Sequence, residues 1–170
     1  MNPHHTSVPP TKKAFTVVPS LITLVLLLPC SLTLFGQGDS QISQNKEVVI
    51  KYLDTFNTHD LSKISQLFAK DYVWHTLDGR EIHSAQDSSH MVTLRFVTSA
   101  IPDIYYSVES IIGEGDLVAV NTTVTGSVEK PTGAKRLRFK QMFFFRVSQG
   151  LIQEEWEVLD TGLMMQQMAD

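Results

Sequence analysis

The 170-residue chain carries 14 Lys and Arg against 18 Asp and Glu, a net charge of −4, with 42% hydrophobic residues and a single cysteine. That length fits one domain with a sizeable core, and the acidic balance argues against nucleic acid or an anionic membrane surface as the main partner. One cysteine leaves no disulfide framework and no Cys-based metal site.

Residues 1–38 differ in kind from the rest. Lys12 and Lys13 precede a run from Ala14 to Phe35 that has no charge and contains Leu21-Ile22-Thr23-Leu24-Val25-Leu26-Leu27-Leu28. A basic start, an apolar middle and a small-residue exit form the pattern of a secretory signal. Gly36-Gln37-Gly38 sets small residues for cleavage before Asp39. The run is also long enough for a membrane anchor, although Pro19 and Pro29 would interrupt an ideal helix. Lipidation at Cys30 is a third reading, and Pro29 sits where it wants a small residue. The expectation is an exported domain over residues 39–170, secreted or periplasmic, with membrane attachment only if the leader is retained. Without Lys12 and Lys13 that part has 12 basic and 18 acidic residues, a net charge of −6, and no cysteine.

Ile42, Val49, Leu53 and Phe56 recur at helical spacing and predict an amphipathic helix of about four turns ending near Asn57-Thr58-His59. Asp60 then reads as the N-cap of a shorter helix with Leu61, Ile64, Leu67 and Phe68 on one face. Asp71 to Leu77 is aromatic and β-branched, hence a strand, turned by Asp78-Gly79. A third helix is expected from about Ser84 to Ala100, with Met91, Leu94, Val97 and Ile101 along one stripe. Pro102 ends it and forces Ile101 towards an extended conformation.

After Pro102 the pattern is strand throughout. Ile104–Ile112 and Leu117–Thr125 flank a turn at Gly113-Glu114-Gly115-Asp116, and Gly126 to Ala134 is a loop. Lys135 to Val147 alternates, with Leu137, Phe139, Gln141, Phe143, Phe145 and Val147 on one face. Ser148-Gln149-Gly150 turns into a last strand that ends at Asp160. Helices followed by an antiparallel meander of about five strands give an α+β domain, with the helices packed on the apolar face of the sheet.

This order resembles the SnoaL-like polyketide cyclase (ester cyclase) family of the nuclear transport factor 2-like superfamily. The resemblance rests on Ile101-Pro102-Asp103-Ile104, Gly113-Glu114-Gly115-Asp116-Leu117-Val118-Ala119-Val120, Pro131-Thr132-Gly133, Phe145-Arg146-Val147 and Glu155-Trp156-Glu157-Val158-Leu159-Asp160. It implies an α+β cone in which a strongly curved antiparallel sheet and the N-terminal helices enclose a pocket for a small hydrophobic organic molecule. It also implies aldol-type ring closure by an acid near the end of the sheet, assisted by a histidine, without metal or organic cofactor. Asp160 is the position that best matches the acid. Thr125 to Lys130, where the family often has a Thr-His pair, contains no histidine.

Strand parity sorts the remaining candidates. Unbroken alternation puts Ile152, Glu154, Trp156, Val158 and Asp160 on one face, taken as the pocket side, and Glu155 and Glu157 on the other. There the latter two would pair with Arg138, Lys140 or Arg146, unless a bulge between 157 and 160 reverses the faces. On the pocket side Asp160 would be desolvated and suited to proton abstraction. Its other reading is a cap for the last helix. His75 is the candidate hydrogen-bond partner, with Trp74, Met91, Gln141, Phe143, Phe145 and Trp156 as candidate lining. His75, His83 and His90 lack strict metal-ligand spacing. A rival reading is a non-catalytic binding or scaffold domain that dimerises through the outer face of the sheet, with Met164, Met165 and Met168 at a pocket mouth or a dimer contact.

Overall fold

The computed structural model describes residues 30–83 and 88–169. Helix α1 (Cys30–Asn57) leads into a 3-10 helix (Leu61–Leu67), strand β1 (Phe68–His75) and a short β2 (Glu81–His83). Helix α2 (Ser88–Ala100) is followed by β3 (Tyr105–Glu114), β4 (Leu117–Val128), β5 (Lys135–Ser148), β6 (Leu151–Leu159) and helix α3 (Thr161–Met168). The expected leader lies mostly outside the described residues, and its residues 30–38 belong to α1. Residues 84–87 of the expected third helix also lie outside them. Among the described residues no helix is long and apolar enough to cross a membrane.

The sheet has six strands in the order β2-β1-β6-β5-β4-β3. The expected meander is present as β3 to β6, and β1 extends it by pairing in parallel with β6. The curved sheet holds its apolar face against the helices. Val49, Tyr52, Leu53 and Phe56 of α1 meet Val118, Val120 and Val124 of β4 and Phe143 and Phe145 of β5 in one buried core. Asn57 clamps the end of α1 to the sheet: its Oδ1 accepts from Tyr106 N–H at 2.8 Å and its Nδ2 donates to Tyr106 C=O at 3.0 Å. Asp60 does not cap the 3-10 helix through its side chain; its carboxylate takes up Ser62 Oγ and Lys63 Nζ instead.

One irregularity decides what faces the interior. Gln149 and Gly150 both have positive φ, 54° and 75°, the geometry of a two-residue turn that matches strand twist. This turn pairs Ser148 with Leu151 and Val147 with Ile152, but Arg146 then pairs with Glu154, so Gln153 is an extra residue. That β-bulge inverts the alternation. Ile152 points inward before it, and Glu155, Glu157 and Leu159 point inward after it, opposite Phe145, Phe143 and Gln141. The expectation that Trp156, Val158 and Asp160 face the interior is therefore corrected.

Gly126 on β4 is pressed against the turn after α2. A Cβ there would lie 2.3 Å from Ile101 Cγ2 and 3.3 Å from Ile104 Cα. Ile101 is buried and its β-branched side chain has little room to rotate. Gly126→Ala should lower unfolding free energy by about 1–3 kcal/mol in denaturant titration. Adding Ile101→Ala should give a double variant more stable than the sum of the two single losses.

Candidate active site

The cone encloses a cavity of about 230 Å³. One wall is apolar, built from Leu53 and Phe56 of α1, Leu94 and Val97 of α2, and the Ile101–Ile104 turn, with Met164 of α3 beside it. The sheet supplies the other wall, and polar groups concentrate there: Trp74, Tyr106, Gln141, Glu155 and Glu157. Tyr52, Thr93 and His90 reach in from the helices.

Glu155 is the deepest of these, with 2% of its surface exposed. Tyr72 Oη donates to its Oε2 at 2.7 Å and Tyr52 Oη to its Oε1 at 3.4 Å. Burial, and then the charge of Glu157 nearby, push the Glu155 carboxyl up to about 8, against the opposing pull of the two tyrosines. Burial also raises Glu157, while hydrogen bonds from Trp74 and Gln141 oppose the shift. Gln141 Nε2 donates to Glu157 Oε2 at 2.7 Å, and Tyr106 Oη approaches Gln141 Oε1 at 3.5 Å. Tyr52, Tyr72 and Tyr106 are all pushed above the ordinary phenol range, burial being the largest cause, so they are neutral donors.

His90 stands behind Tyr72. Its Nδ1 is 3.3 Å from Tyr72 Oη and its Nε2 is 3.9 Å from Glu155 Oε2. Phe68, Tyr72 and Trp74 surround the ring at centroid distances of 5.3, 5.4 and 4.9 Å. Burial holds His90 down to about 4. At neutral pH the contact with Glu155 is therefore between two uncharged groups, not an ion pair. With Tyr72 donating to Glu155, the proton of His90 sits on Nδ1, and its Nε2 lone pair faces the carboxyl.

Of the residues singled out from the sequence, Trp74, Gln141 and Phe143 line the cavity. Met91 and Phe145 are buried in the core but do not line it. His75 and Trp156 lie together on the outer face, their rings stacked at 4.2 Å and 7°. His75 Nε2 there contacts Glu154 at 3.0 Å and its Nδ1 lies 3.6 Å from Glu81. Asp160 is exposed and caps α3, its Oδ1 accepting from Leu163 N–H at 2.8 Å. Glu157 does not pair with Arg138, Lys140 or Arg146. Arg146 takes Glu154 and Asp116, and Lys140 takes Glu109.

Sequence reasoning missed Tyr52 and Tyr72, weighed His90 only for metal-ligand spacing, and placed Glu155 and Glu157 on the wrong face. His90 was within reach, since it extends the Leu94, Val97 and Ile101 stripe by one helical turn. Tyr72 shares the parity of Trp74 on β1. The bulge gave no signal: Gln153, Glu154 and Glu155 are all polar, so alternation is silent where it inverts.

The sequence profile of the SnoaL-like polyketide cyclases matches residues 46–168. The chain belongs to that family. AclR of Streptomyces galilaeus, described as a candidate hydroxylase, superposes with a TM-score of 0.67 at 24% identity, over 75% of this chain and 96% of its own. IdmH of Streptomyces antibioticus, described as a candidate polyketide cyclase, gives 0.65 at 25% identity, over 74% of this chain and 98% of its own. An epoxide hydrolase of M. tuberculosis shares the fold at 16% identity, with a TM-score of 0.62 over 75% of this chain and 90% of its own. No curated protein sequence matches. Within the SnoaL-like family the nuclear transport factor 2-like cone is the common part, and the chemistry lies in what each cone contains.

Glu155 binds its proton more tightly folded than unfolded, so its contribution to stability is fully present below the unfolded carboxyl range and is lost as pH rises to about 8. Stability should fall across pH 5 to 8 by roughly 3–5 kcal/mol from this group. Glu155→Gln should flatten that slope in urea titrations at several pH values. His90, held low, adds stability over the lower part of this range, so the test is the difference between the two proteins: if it does not change with pH, the assignment fails.

Proposed function

We propose that this SnoaL-like domain binds a small, largely apolar organic molecule in its cone and moves a proton on it, without a cofactor, using the carboxyl pair Glu155 and Glu157. The observation that carries the reading is the pair itself: two acids on one inward face of β6, in an apolar cavity, held in different surroundings. When environments push two neighbouring acids apart, one serves as acid and the other as base near neutral pH. Glu155, buried and raised to about 8, is the neutral member. Glu157, half-buried and oriented by Gln141, is the base.

In an aldol-type cyclisation or an isomerisation, Glu157 takes a proton from a carbon next to a carbonyl. The Tyr106 hydroxyl, kept protonated by burial, can donate to the carbonyl oxygen as negative charge develops there. The carbanion then attacks a second carbonyl of the same molecule or is reprotonated at another carbon. The resulting alkoxide or carbon recovers the proton from Glu157, so the enzyme ends as it began. The apolar wall excludes water, which strengthens each of these interactions.

Exchange of α-protons tests this without knowledge of the substrate. With cyclohexanone in deuterated buffer, NMR should show exchange above that of an equal concentration of free carboxylate. Glu157→Gln should lower it by about 100-fold or more with the fold intact. Because Glu157 must be ionised, the rate should rise with pH through its elevated carboxyl range. Asp160→Ala should leave exchange unchanged and cost about 1 kcal/mol of stability through the lost cap. Exchange indifferent to Glu157→Gln would end the acid/base reading.

We also infer an exported homodimer. Residues 12–38 support export. The dimer reading rests on Phe144, Met142, Val158 and Ile112, exposed on the outer face at 42, 40, 56 and 68%. Phe144 sits between Ala119 and Trp156, and Met142 beside Val158, so the patch is continuous across β4, β5 and β6. Native mass spectrometry of protein from its exporting host should give twice the mass of a chain beginning at Asp39. Phe144→Glu should give the single-chain mass. A full-length or monomeric wild type would refute the corresponding half.

A further inference from the structure

The cavity has an electrical asymmetry that the proton-transfer reading leaves unused. Two carboxyls share it, and among the described residues that line it there is no lysine or arginine. Burial raises both carboxyls, the charge of Glu157 raises Glu155 further, and their hydrogen-bond donors are the neutral groups Tyr72, Tyr52, Trp74 and Gln141. His90 lies against Glu155 as an uncharged ring. Elsewhere on the sheet Glu154 and Asp116 share Arg146, and Glu109 takes Lys140. A buried negative charge without such a partner is costly. The ligand is then the natural source of the missing positive charge.

The walls suit such a charge. Trp74, Tyr106, Phe143, Phe139 and Phe56 bring aromatic surface to the cavity around the carboxyl pair. Aromatic faces attract desolvated organic cations, and a carboxylate in the same site adds its own Coulomb attraction. The opposite wall is aliphatic, from Leu53, Leu94, Val97 and Ile101, so the rest of the ligand must be apolar.

We propose that the ligand of this cavity is an apolar amine that enters as its ammonium ion and seats its charge against Glu157 and Glu155. The inference rests on the proton-transfer reading and deepens it. A cation beside the pair favours ionisation of Glu157, the base, which then takes its proton from a carbon next to a carbonyl of the same molecule while Glu155 keeps its own proton. A carboxylate or phosphate ligand would meet only like charge.

The test compares three soluble probes of similar size at pH 8 by calorimetry: benzyldimethylamine as the cation, N,N-dimethylbenzamide as its neutral counterpart and phenylacetate as an anion. The amine should bind at least tenfold more tightly than the amide, and phenylacetate should not bind. Glu157→Gln, with its fold checked by circular dichroism, should bring the amine to within about twofold of the amide. Should Glu157→Gln not fold, the wild-type pH dependence decides: the amine's advantage over the amide should shrink as pH falls and Glu157 gains its proton, and an advantage independent of pH overturns the inference. If the amide binds as tightly as the amine in wild type, the inference is overturned while the cavity reading stands. Absence of binding by all three also overturns it, and the ketone exchange then decides the proton-transfer reading separately.

Discussion

A carboxyl group that is almost wholly out of water must be neutral or strongly solvated by the protein, and much of the cone is arranged around that requirement at Glu155. Its two oxygens are taken by Tyr72 and Tyr52, both neutral. The imidazole next in line is also neutral. Among the described residues no buried side-chain polar atom lacks a partner. The polar cluster is thus complete as hydrogen bonding while remaining incomplete as charge. A fully satisfied network of this kind rigidifies its surroundings, and a network short of one positive charge keeps a preference for whatever supplies it.

The residues of the cluster come from different parts of the chain. Tyr52 lies on α1, Tyr72 on β1, His90 on α2, and Glu155 and Glu157 on β6. No two of these elements need be adjacent in a helical or sheet-only fold. They meet here because β1 joins the meander in parallel at β6, which brings Tyr72 beside Glu155 and lets α1 and α2 close over both. The aromatic packing reinforces this arrangement: Phe68 stacks on Tyr72 at 4.2 Å, and Tyr52 meets Phe145 edge-on at 5.5 Å. Site and core are built from the same rings. Loosening the core around Phe68 or Phe145 would therefore also loosen the tyrosines that hold the acid.

The fold was legible where periodicity is strong. The stripe Met91, Leu94, Val97, Ile101 marked α2, and the alternation from Leu137 to Val147 marked β5 with its faces correctly assigned. Pro102 and the paired turn glycines fixed the breaks between elements. What could not be read was pairing at a distance: β2 is only three residues long and β1 joins β6 across some eighty residues of sequence. The site was legible in part. Gln141 and Phe143 follow from parity on a stretch of β5 with regular pairing on both sides, and Trp74 from its place on β1 just past a register shift. The resemblance points to Asp160 as the acid, and alternation carried through Gln153, where it does not hold, puts it on the pocket side. Its short side chain, next to the start of a helix, found a backbone N–H instead, which is the commonest use of aspartate at that position.

The bulge at Gln153 links two properties of the molecule that would otherwise look unrelated. With unbroken alternation, Trp156 and Val158 would fill the cone, and Glu155 and Glu157 would stand on the outer face. The cavity would then be dry and chemically inert, and the outer face would be charged. One inserted residue exchanges these sets. The cone receives two acids in an apolar wall, and the outer face receives Trp156 and Val158 beside Phe144 and Met142. A reactive interior and a sticky exterior are here consequences of the same register shift. Such a shift leaves the hydrogen-bonded ladder and the family's cone in place on either side. A change in the position of a bulge along β6 can therefore alter the chemistry of this fold without altering its outline, which is one physical reason that members sharing the cone need not share a reaction.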